Sequence, residues 1–179
     1  MTRDEEAEAL HRRAKALVEI GRYAQALPLL EKAVGLAPDE VAYVSDLALV
    51  LDRLERPKDS LAVIERVLAL HPTGSWGHRF QSYLFRQVGR PEEAWHAARR
   101  AVALAPHSPA AHRRLAHAAR DSDRVDEIRA AIEYAVACAP QDASMWRDCA
   151  TLLRELGDAE GGRRALREAL RLAPTDAWL

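Results

Sequence analysis

The sequence predicts an all-α protein, a solenoid of five helical hairpins in tandem. Two observations lead to this fold class. Within each 34-residue interval, apolar residues recur at helical spacing, break briefly and resume until a proline. The prolines that close the intervals are Pro38, Pro72, Pro106, Pro140 and Pro174. A strict period of this length is the signature of one supersecondary unit copied along the chain.

The chain is interpreted as a single domain, residues 1–179, of five repeats. The repeats span residues 7–40, 41–74, 75–108, 109–142 and 143–176. A short break divides each repeat into two helices, since glycine permits an unusual backbone and proline can open a helix without losing a hydrogen bond. The breaks lie at Gly21 and Arg22, Glu55 to Pro57, Gly89 to Pro91, Asp123 and Arg124, and Gly157 and Asp158.

The first repeat carries two further local signals. Thr2 and Glu5 have the spacing of a capping box, which is expected to start the first helix near Arg3. Pro28 lies about one turn into the second helix, where it is expected to bend that helix or shift its start.

Corresponding positions of the repeats follow a common pattern. The small residue of the first helix is Ala14, Ala48, Ser82, Ala116 and Ala150. The larger residue four positions earlier is Leu10, Val44, His78, His112 and Trp146. With the closing prolines, these positions resemble the tetratricopeptide repeat over residues 7–176. The resemblance implies a right-handed superhelix whose concave surface is lined by the first helix of each hairpin, and a role in binding other proteins.

Composition argues against several classes of protein. The net charge is −1, no apolar run approaches the roughly 20 residues that span a bilayer, and the acidic start is unlike a secretory signal. A cytoplasmic protein is therefore expected. Phosphate-binding glycine loops, nucleophile elbows and His-Glu metal motifs are missing from the sequence, so no enzyme activity, cofactor or metal is expected. Cys138 and Cys149 are interpreted as buried structural thiols on apolar helix faces.

Two rows of arginines mark the first helices of the last three repeats. The first row is Arg79, Arg113 and Arg147, and the second, seven residues further on in each repeat, is Arg86, Arg120 and Arg154. Seven residues are close to two helical turns, so both rows face one way. Asp121, Asp148 and Glu155 are the nearby opposing charges. At the corresponding positions of the first two repeats, acidic and basic side chains nearly balance. The concave groove is therefore predicted to be nearly neutral in the first two repeats and basic in the last three.

Trp76, Phe80 and Tyr83 form a predicted aromatic cluster where the basic stretch begins. The cluster is interpreted as part of a binding surface, because aromatic and arginine side chains together are typical of interface hot spots. The other interpretation is that Phe80 packs between repeats and the arginines are solvated or paired with nearby carboxylates. Arg163, Arg164, Arg167 and Arg171 are assigned to a solvated outer face. The predicted partner-binding residues are Trp76, Arg79, Phe80, Tyr83, Arg86, Arg113, Arg114, His117, Arg120, Arg147, Thr151 and Arg154.

The sequence therefore favours a noncatalytic scaffold or adaptor that binds an acidic peptide or protein segment in its concave groove. Three alternatives stay open. Only five residues follow Pro174, so Leu166, Leu170, Leu172 and Trp178 are expected to be partly open, and the last repeat could mediate self-assembly into a homo-oligomer. The chain could also be a regulatory domain of a longer protein. Nucleic-acid binding is the third alternative, although the near-neutral charge and 27 acidic residues argue against it.

Overall fold

The computed structural model describes residues 2–174, and within this range the chain forms ten α-helices and no strand. The helices are α1 (Arg3–Glu19), α2 (Tyr23–Leu36), α3 (Val41–Arg53), α4 (Pro57–Leu70), α5 (Ser75–Gln87), α6 (Pro91–Leu104), α7 (Pro109–Asp121), α8 (Val125–Cys138), α9 (Ala143–Glu155) and α10 (Ala159–Leu172). The predicted all-α helical repeat fold is confirmed. Trp178, which the sequence analysis placed at an open end, lies outside the described residues.

Each pair of successive helices in a repeat is joined at one residue with a left-handed backbone. These residues are 34 apart, with φ between 58° and 79°: Gly21, Glu55, Gly89, Asp123 and Gly157. The next residue closes the helix end, as where the Arg22 amide donates to the Leu17 carbonyl at 2.8 Å. This is the Schellman arrangement, in which a left-handed residue lets the chain satisfy the last carbonyls of a helix.

The starts of the helices follow the predicted signals. Thr2 and Glu5 form the capping box in front of α1, and Pro57 and Pro91 each stand at the first turn of a second helix. Pro28 lies inside α2. It does not shift the helix start, because Tyr23 is 34 residues before Pro57, in register with the other second helices.

Small residues bring the two helices of a hairpin close together. Ala14, Ala48, Ser82, Ala116 and Ala150 are all buried. In the second repeat, the Ser60 hydroxyl donates to the Ala48 carbonyl at 2.7 Å. In the fifth, a Cβ added to Gly162 would lie 3.2 Å from the Ala150 carbonyl oxygen. The close approach of backbones explains why these positions hold small residues.

The prediction that both thiols are buried is confirmed for Cys149 and wrong for Cys138. Cys149 is buried, and burial raises the pKa of its thiol to about 11. Cys138 is exposed. The apolar face of α8 includes Ala135 and Val136, and Cys138 is two residues past Val136, which places it about 200° around the helix from that residue.

The helices group into two compact units that divide after Val88. The first unit contains α1 to α5, with α1 packed on α2, α3 on α4, and neighbouring hairpins in contact through α2 with α3 and α4 with α5. The second contains α6 to α10, with the hairpins α7–α8 and α9–α10 packed in succession. The single predicted domain of residues 1–179 stays a prediction.

Candidate functional site

In the second unit, the predicted first row of arginines makes contact with the repeat that follows. Arg113 on α7 lies 3.7 Å from the Asp148 carboxylate on α9, measured from Nε to Oδ2. Its Nη1 also donates to the Ser144 hydroxyl at 3.3 Å. Arg113 therefore helps to hold α9 against α7, as the alternative interpretation of paired arginines anticipates.

His117 shares the same carboxylate. Its Nε2 lies 3.3 Å from Asp148 Oδ2. Burial raises the pKa of the Asp148 carboxyl, but the hydrogen bond and charge of His117, with the charges of Arg113 and Arg147, outweigh burial and lower that pKa overall. Asp148 is therefore a half-buried anion surrounded by three basic side chains, and it is ionised at neutral pH.

Arg120, in the second row of arginines, also contacts carboxylates. Its Nε lies 3.0 Å from Asp121 Oδ1 and its Nη1 lies 3.6 Å from Glu155 Oε2. Asp121, Asp148 and Glu155, which the sequence analysis named as nearby opposing charges, are thus direct partners of the arginines. Five arginines stand against three carboxylates on α7 and α9, so these two helices keep a positive surplus.

The remaining predicted binding residues of this unit differ in how exposed they are, and three of them line one cavity. Arg114 and Arg147 are half-buried, whereas Arg154 is exposed. The Thr151 hydroxyl donates to the Arg147 carbonyl at 3.1 Å, within α9. Arg147, Thr151 and Arg154 all line a cavity of about 400 Å³ between α9 and α10. Arg163 lines it too, and its side chain is exposed and contacts Glu160 at 2.6 Å.

In the first unit, the predicted aromatic cluster forms a column along α5. The centroids of Trp76 and Phe80 are 5.4 Å apart and those of Phe80 and Tyr83 are 5.9 Å apart, with the rings stacked. All three are half-buried. Their spacing of four and three residues puts them on one face of the helix.

The hydroxyl of Tyr83, at one end of that column, makes hydrogen bonds within the first unit. The Tyr83 hydroxyl accepts from Gln87 Nε2 at 2.8 Å and donates to the Asp52 carboxylate on α3. Burial raises the pKa of the Asp52 carboxyl, against the charge of Arg53 and the hydrogen bond from Tyr83. Arg79 and Arg86 are half-buried on the same helix α5.

Sequence reasoning missed a polar contact between α1 and α3. His11 Nε2 lies 2.6 Å from Asp46 Oδ2, and the rings of His11 and Tyr43 are 4.4 Å apart. His11 and Asp46 are 35 residues apart, the same separation as Arg113 and Asp148. This spacing, one residue more than the repeat, was the available signal for side chains that meet across neighbouring repeats.

The described residues hold neither a metal-binding cluster nor a membrane-spanning helix. Within residues 2–174, no three His, Cys, Asp or Glu side chains are grouped so that they could hold a metal ion. No helix in that range is both long and apolar enough to cross a membrane.

The geometry of ten helices with a 34-residue period within residues 2–174 agrees with a comparison of the sequence with family models. The model described as tetratricopeptide repeat matches residues 11–75 and 81–143, which is more than half of the chain. The chain belongs to the tetratricopeptide repeat family. No curated protein matches this tetratricopeptide repeat protein closely enough to count as a relative.

Solved structures share the fold at low sequence identity. MamA (residues 41 to the end) from Desulfovibrio magneticus RS-1 has a TM-score of 0.82 and 15% identity, covering 96% of this chain and 97% of that one. TTC0263, a TPR protein from Thermus thermophilus, has a TM-score of 0.78 and 21% identity, covering 95% and 93%. YrrB, described as a TPR protein with an unusual peptide-binding site, has a TM-score of 0.71 and 17% identity, covering 96% and 89%.

Proposed function

We propose that this tetratricopeptide repeat protein is a noncatalytic interaction scaffold that binds an acidic peptide or protein segment on the first helices of its repeats. The observation that carries the proposal is the surplus of guanidinium groups on α7 and α9, where five arginines meet three carboxylates. Arginine suits this role because its planar fork binds a carboxylate through two hydrogen bonds. The peptide-binding site named for YrrB supports peptide binding as a use of this fold.

The partners of the arginines define how such a ligand would bind. Arg113 contacts one carboxylate and Arg120 contacts two, at 3.0 to 3.7 Å, yet both side chains keep an exposed fraction of 34%. A guanidinium carries five donors, so these internal contacts leave donors that can reach a ligand. The internal pairs also hold the side chains in place, which reduces the entropy lost on binding.

The column of Trp76, Phe80 and Tyr83 is proposed as a separate contact surface of the first unit. Stacked, half-buried rings offer apolar area at a low cost in conformational entropy. The hydroxyl of Tyr83 is already bonded to Gln87 and Asp52, so we assign the column to apolar contact rather than hydrogen bonding.

The test compares two adjacent arginine pairs of equal charge. Arg113→Glu with Arg114→Glu changes the first helix α7, and Arg99→Glu with Arg100→Glu makes the same change on the second helix α6. Binding of a fluorescent hexaglutamate peptide should weaken at least about tenfold in the α7 variant only, and should fall with added salt. Equal loss in both variants, or equal binding of hexalysine by the wild type, would remove the proposal of an acidic ligand on these helices.

A further inference from the structure

A cavity of about 190 Å³ lies among α1, α2 and α3 in the first unit. Its uncharged walls come from all three helices and are formed by Val18, Tyr23, Leu30, Leu49 and Val50. Leu30 is 0% exposed and Val50 is 1% exposed, so the floor of the cavity reaches the core. An apolar cavity of about 150 Å³ takes up benzene. This cavity therefore has room for one phenyl group or one branched aliphatic side chain.

Charged side chains of both signs line the same cavity. Helix α1 contributes Lys15 and Glu19, and helix α3 contributes Asp46 and Arg53. Lys15, Glu19 and Arg53 are exposed and Asp46 is half-buried, so the charges lie at the mouth and the apolar walls inside. Two cations and two carboxylates give this lining no net charge. A ligand with charge of one sign would meet as many like charges as opposite ones, whereas a ligand that carries both signs can pair with each.

The Asp46 carboxylate is held in place by its neighbours. His11 Nε2 lies 2.6 Å from Asp46 Oδ2, and the ring of His11 lies 4.4 Å from that of Tyr43. The Asp46 side chain keeps an exposed fraction of 32%. A carboxylate accepts hydrogen bonds at both of its oxygens, so Oδ1 can accept from an ammonium group of a ligand. An acceptor that is already fixed reduces the entropy lost when the ligand binds.

The charges lie close enough together for one small ligand. Lys15 and Glu19 are four residues apart, which is about 6 Å along the axis of α1. The backbone of an internal peptide residue carries no charge and would leave these groups to water. A free α-amino acid carries an ammonium group, a carboxylate and a side chain on one carbon atom. It therefore matches the single apolar compartment and the two kinds of charge at its mouth.

We infer that this cavity of the first unit binds a free α-amino acid with a large apolar side chain. The side chain enters the cavity, the ammonium group pairs with Asp46 and Glu19, and the carboxylate pairs with Lys15 and Arg53. The charged groups of the ligand stay at the exposed mouth and keep part of their hydration, which limits the cost of binding them. The site shares no residue with the acidic-peptide surface of α7 and α9, and either can fail without the other.

The test titrates the whole protein with L-phenylalanine in a calorimeter. Binding should saturate with a dissociation constant of about 1 mM or below. N-acetyl-L-phenylalanine lacks the ammonium group and L-phenylalaninamide lacks the carboxylate, so each should bind at least about fivefold more weakly. Glycine, which has no side chain to bury, should give no saturable binding at the same concentrations.

Two matched variants locate the site. Lys15→Gln with Arg53→Gln should weaken binding of L-phenylalanine at least about fivefold but leave binding of L-phenylalaninamide unchanged, since that ligand has no carboxylate to lose. Arg12→Gln with Arg13→Gln makes the same charge change at exposed positions of α1 outside the cavity and should bind L-phenylalanine as the wild type does. Circular dichroism checks the fold of both variants, whose substitutions lie at exposed positions.

Three results would overturn the inference. The first is no saturable binding of L-phenylalanine up to about 10 mM, ten times the expected dissociation constant. The second is equal binding of L-phenylalanine by the Lys15, Arg53 variant and by its control. The third is binding of a capped Ala-Phe-Ala peptide as tight as that of free L-phenylalanine, which would show that the occupant is an internal residue of a peptide.

Discussion

The Nε2 atom of His78 lies 3.1 Å from the carbonyl oxygen of Pro72, six residues earlier. A carbonyl oxygen can only accept, so the ring nitrogen donates this hydrogen bond. The relationship recurs one repeat later between His112 and Pro106 at 2.8 Å, and then between Trp146 Nε1 and the carbonyl of Pro140 at 2.9 Å. In three successive repeats, a ring donor thus satisfies the carbonyl of the proline that closes the preceding second helix.

The first prediction concerns this ring donor. His78→Phe keeps an aromatic ring but removes the hydrogen bond to Pro72, and His78 is only 6% exposed. The free energy of unfolding should fall by about 1 kcal/mol, because the part-buried hydrogen bond to the Pro72 carbonyl is lost. Urea unfolding followed by circular dichroism measures the change. His112→Phe is the matched control and should cost less, since its hydrogen bond is exposed to water. A larger loss for His112→Phe would contradict this account.

Two buried serines should respond in opposite ways to alanine. Ser60 donates to the Ala48 carbonyl, whereas Ser82 Oγ is buried without a hydrogen-bond partner among the described residues. Ser60→Ala should destabilise the protein by about 1 kcal/mol. Ser82→Ala should be neutral or stabilising, because it removes a buried polar atom that makes no compensating bond. Thermal unfolding of the two variants measures the change in stability. An equal loss of stability in both would contradict the difference in hydrogen bonding between Ser60 and Ser82.

The repeat period accounts for most of what the sequence could predict. Pro38 and its four equivalents located the hairpins, and Thr2 with Glu5 located the first helix start, because these signals act within a few residues. The contact of His11 with Asp46 was not predicted, and the sequence left open whether the arginines are solvated or paired with nearby carboxylates such as Asp148. Such contacts join neighbouring repeats, and they depend on how one hairpin lies against the next rather than on periodicity within one helix.

The same limit explains the error at Cys138. Cys138 lies at the last turn of α8, two residues past the buried Val136, and this step turns its side chain away from the covered face. The side of a helix that a residue occupies depends on side-chain direction, which hydropathy alone does not specify.

Glycine should stabilise the two turns that lack it. Glu55 and Asp123 have φ of 58° and 59°, in the left-handed region that costs a residue with a Cβ about 1 kcal/mol. Glu55→Gly should raise the free energy of unfolding by up to about 1 kcal/mol, and Asp123→Gly by less because aspartate tolerates this conformation better. Chemical denaturation measures both changes.

The reverse substitution serves as the control for these turns. An added Cβ at Gly21 or Gly157 would meet no atom within 4 Å, so Gly→Ala at either position changes only the backbone preference. Each should destabilise by about 1 kcal/mol. If both Gly→Ala variants were as stable as the wild type, backbone conformation would not govern these turns.

The two thiols should differ strongly in reactivity. Cys138 is exposed, whereas Cys149 is buried and its pKa is raised to about 11. The thiolate is the reactive form, so Cys149 has little of it near pH 8. A chromogenic disulfide reagent should label one thiol per native chain quickly, and Cys138→Ser should remove that fast phase. The second thiol should react at the fast rate only after unfolding in urea. Fast labelling of native Cys138→Ser would contradict the burial of Cys149.

The last prediction is the acid dependence that Asp148 contributes. Burial raises the pKa of this carboxyl, but His117 and the two arginines Arg113 and Arg147 lower it overall. A carboxyl with a lower pKa in the folded state stabilises the protein above its unfolded pKa of about 3.9, and that stability is lost as the pH falls through the folded value. Asp148→Asn should therefore be less stable than the wild type at pH 7, and the difference should shrink between about pH 5 and pH 2. Urea unfolding at a series of pH values tests this, with Asp126→Asn on an exposed site of α8 as the control. If the Asp148→Asn difference stayed constant over that range, or the control showed the same convergence, the basic surroundings of Asp148 would not be the source of the acid dependence.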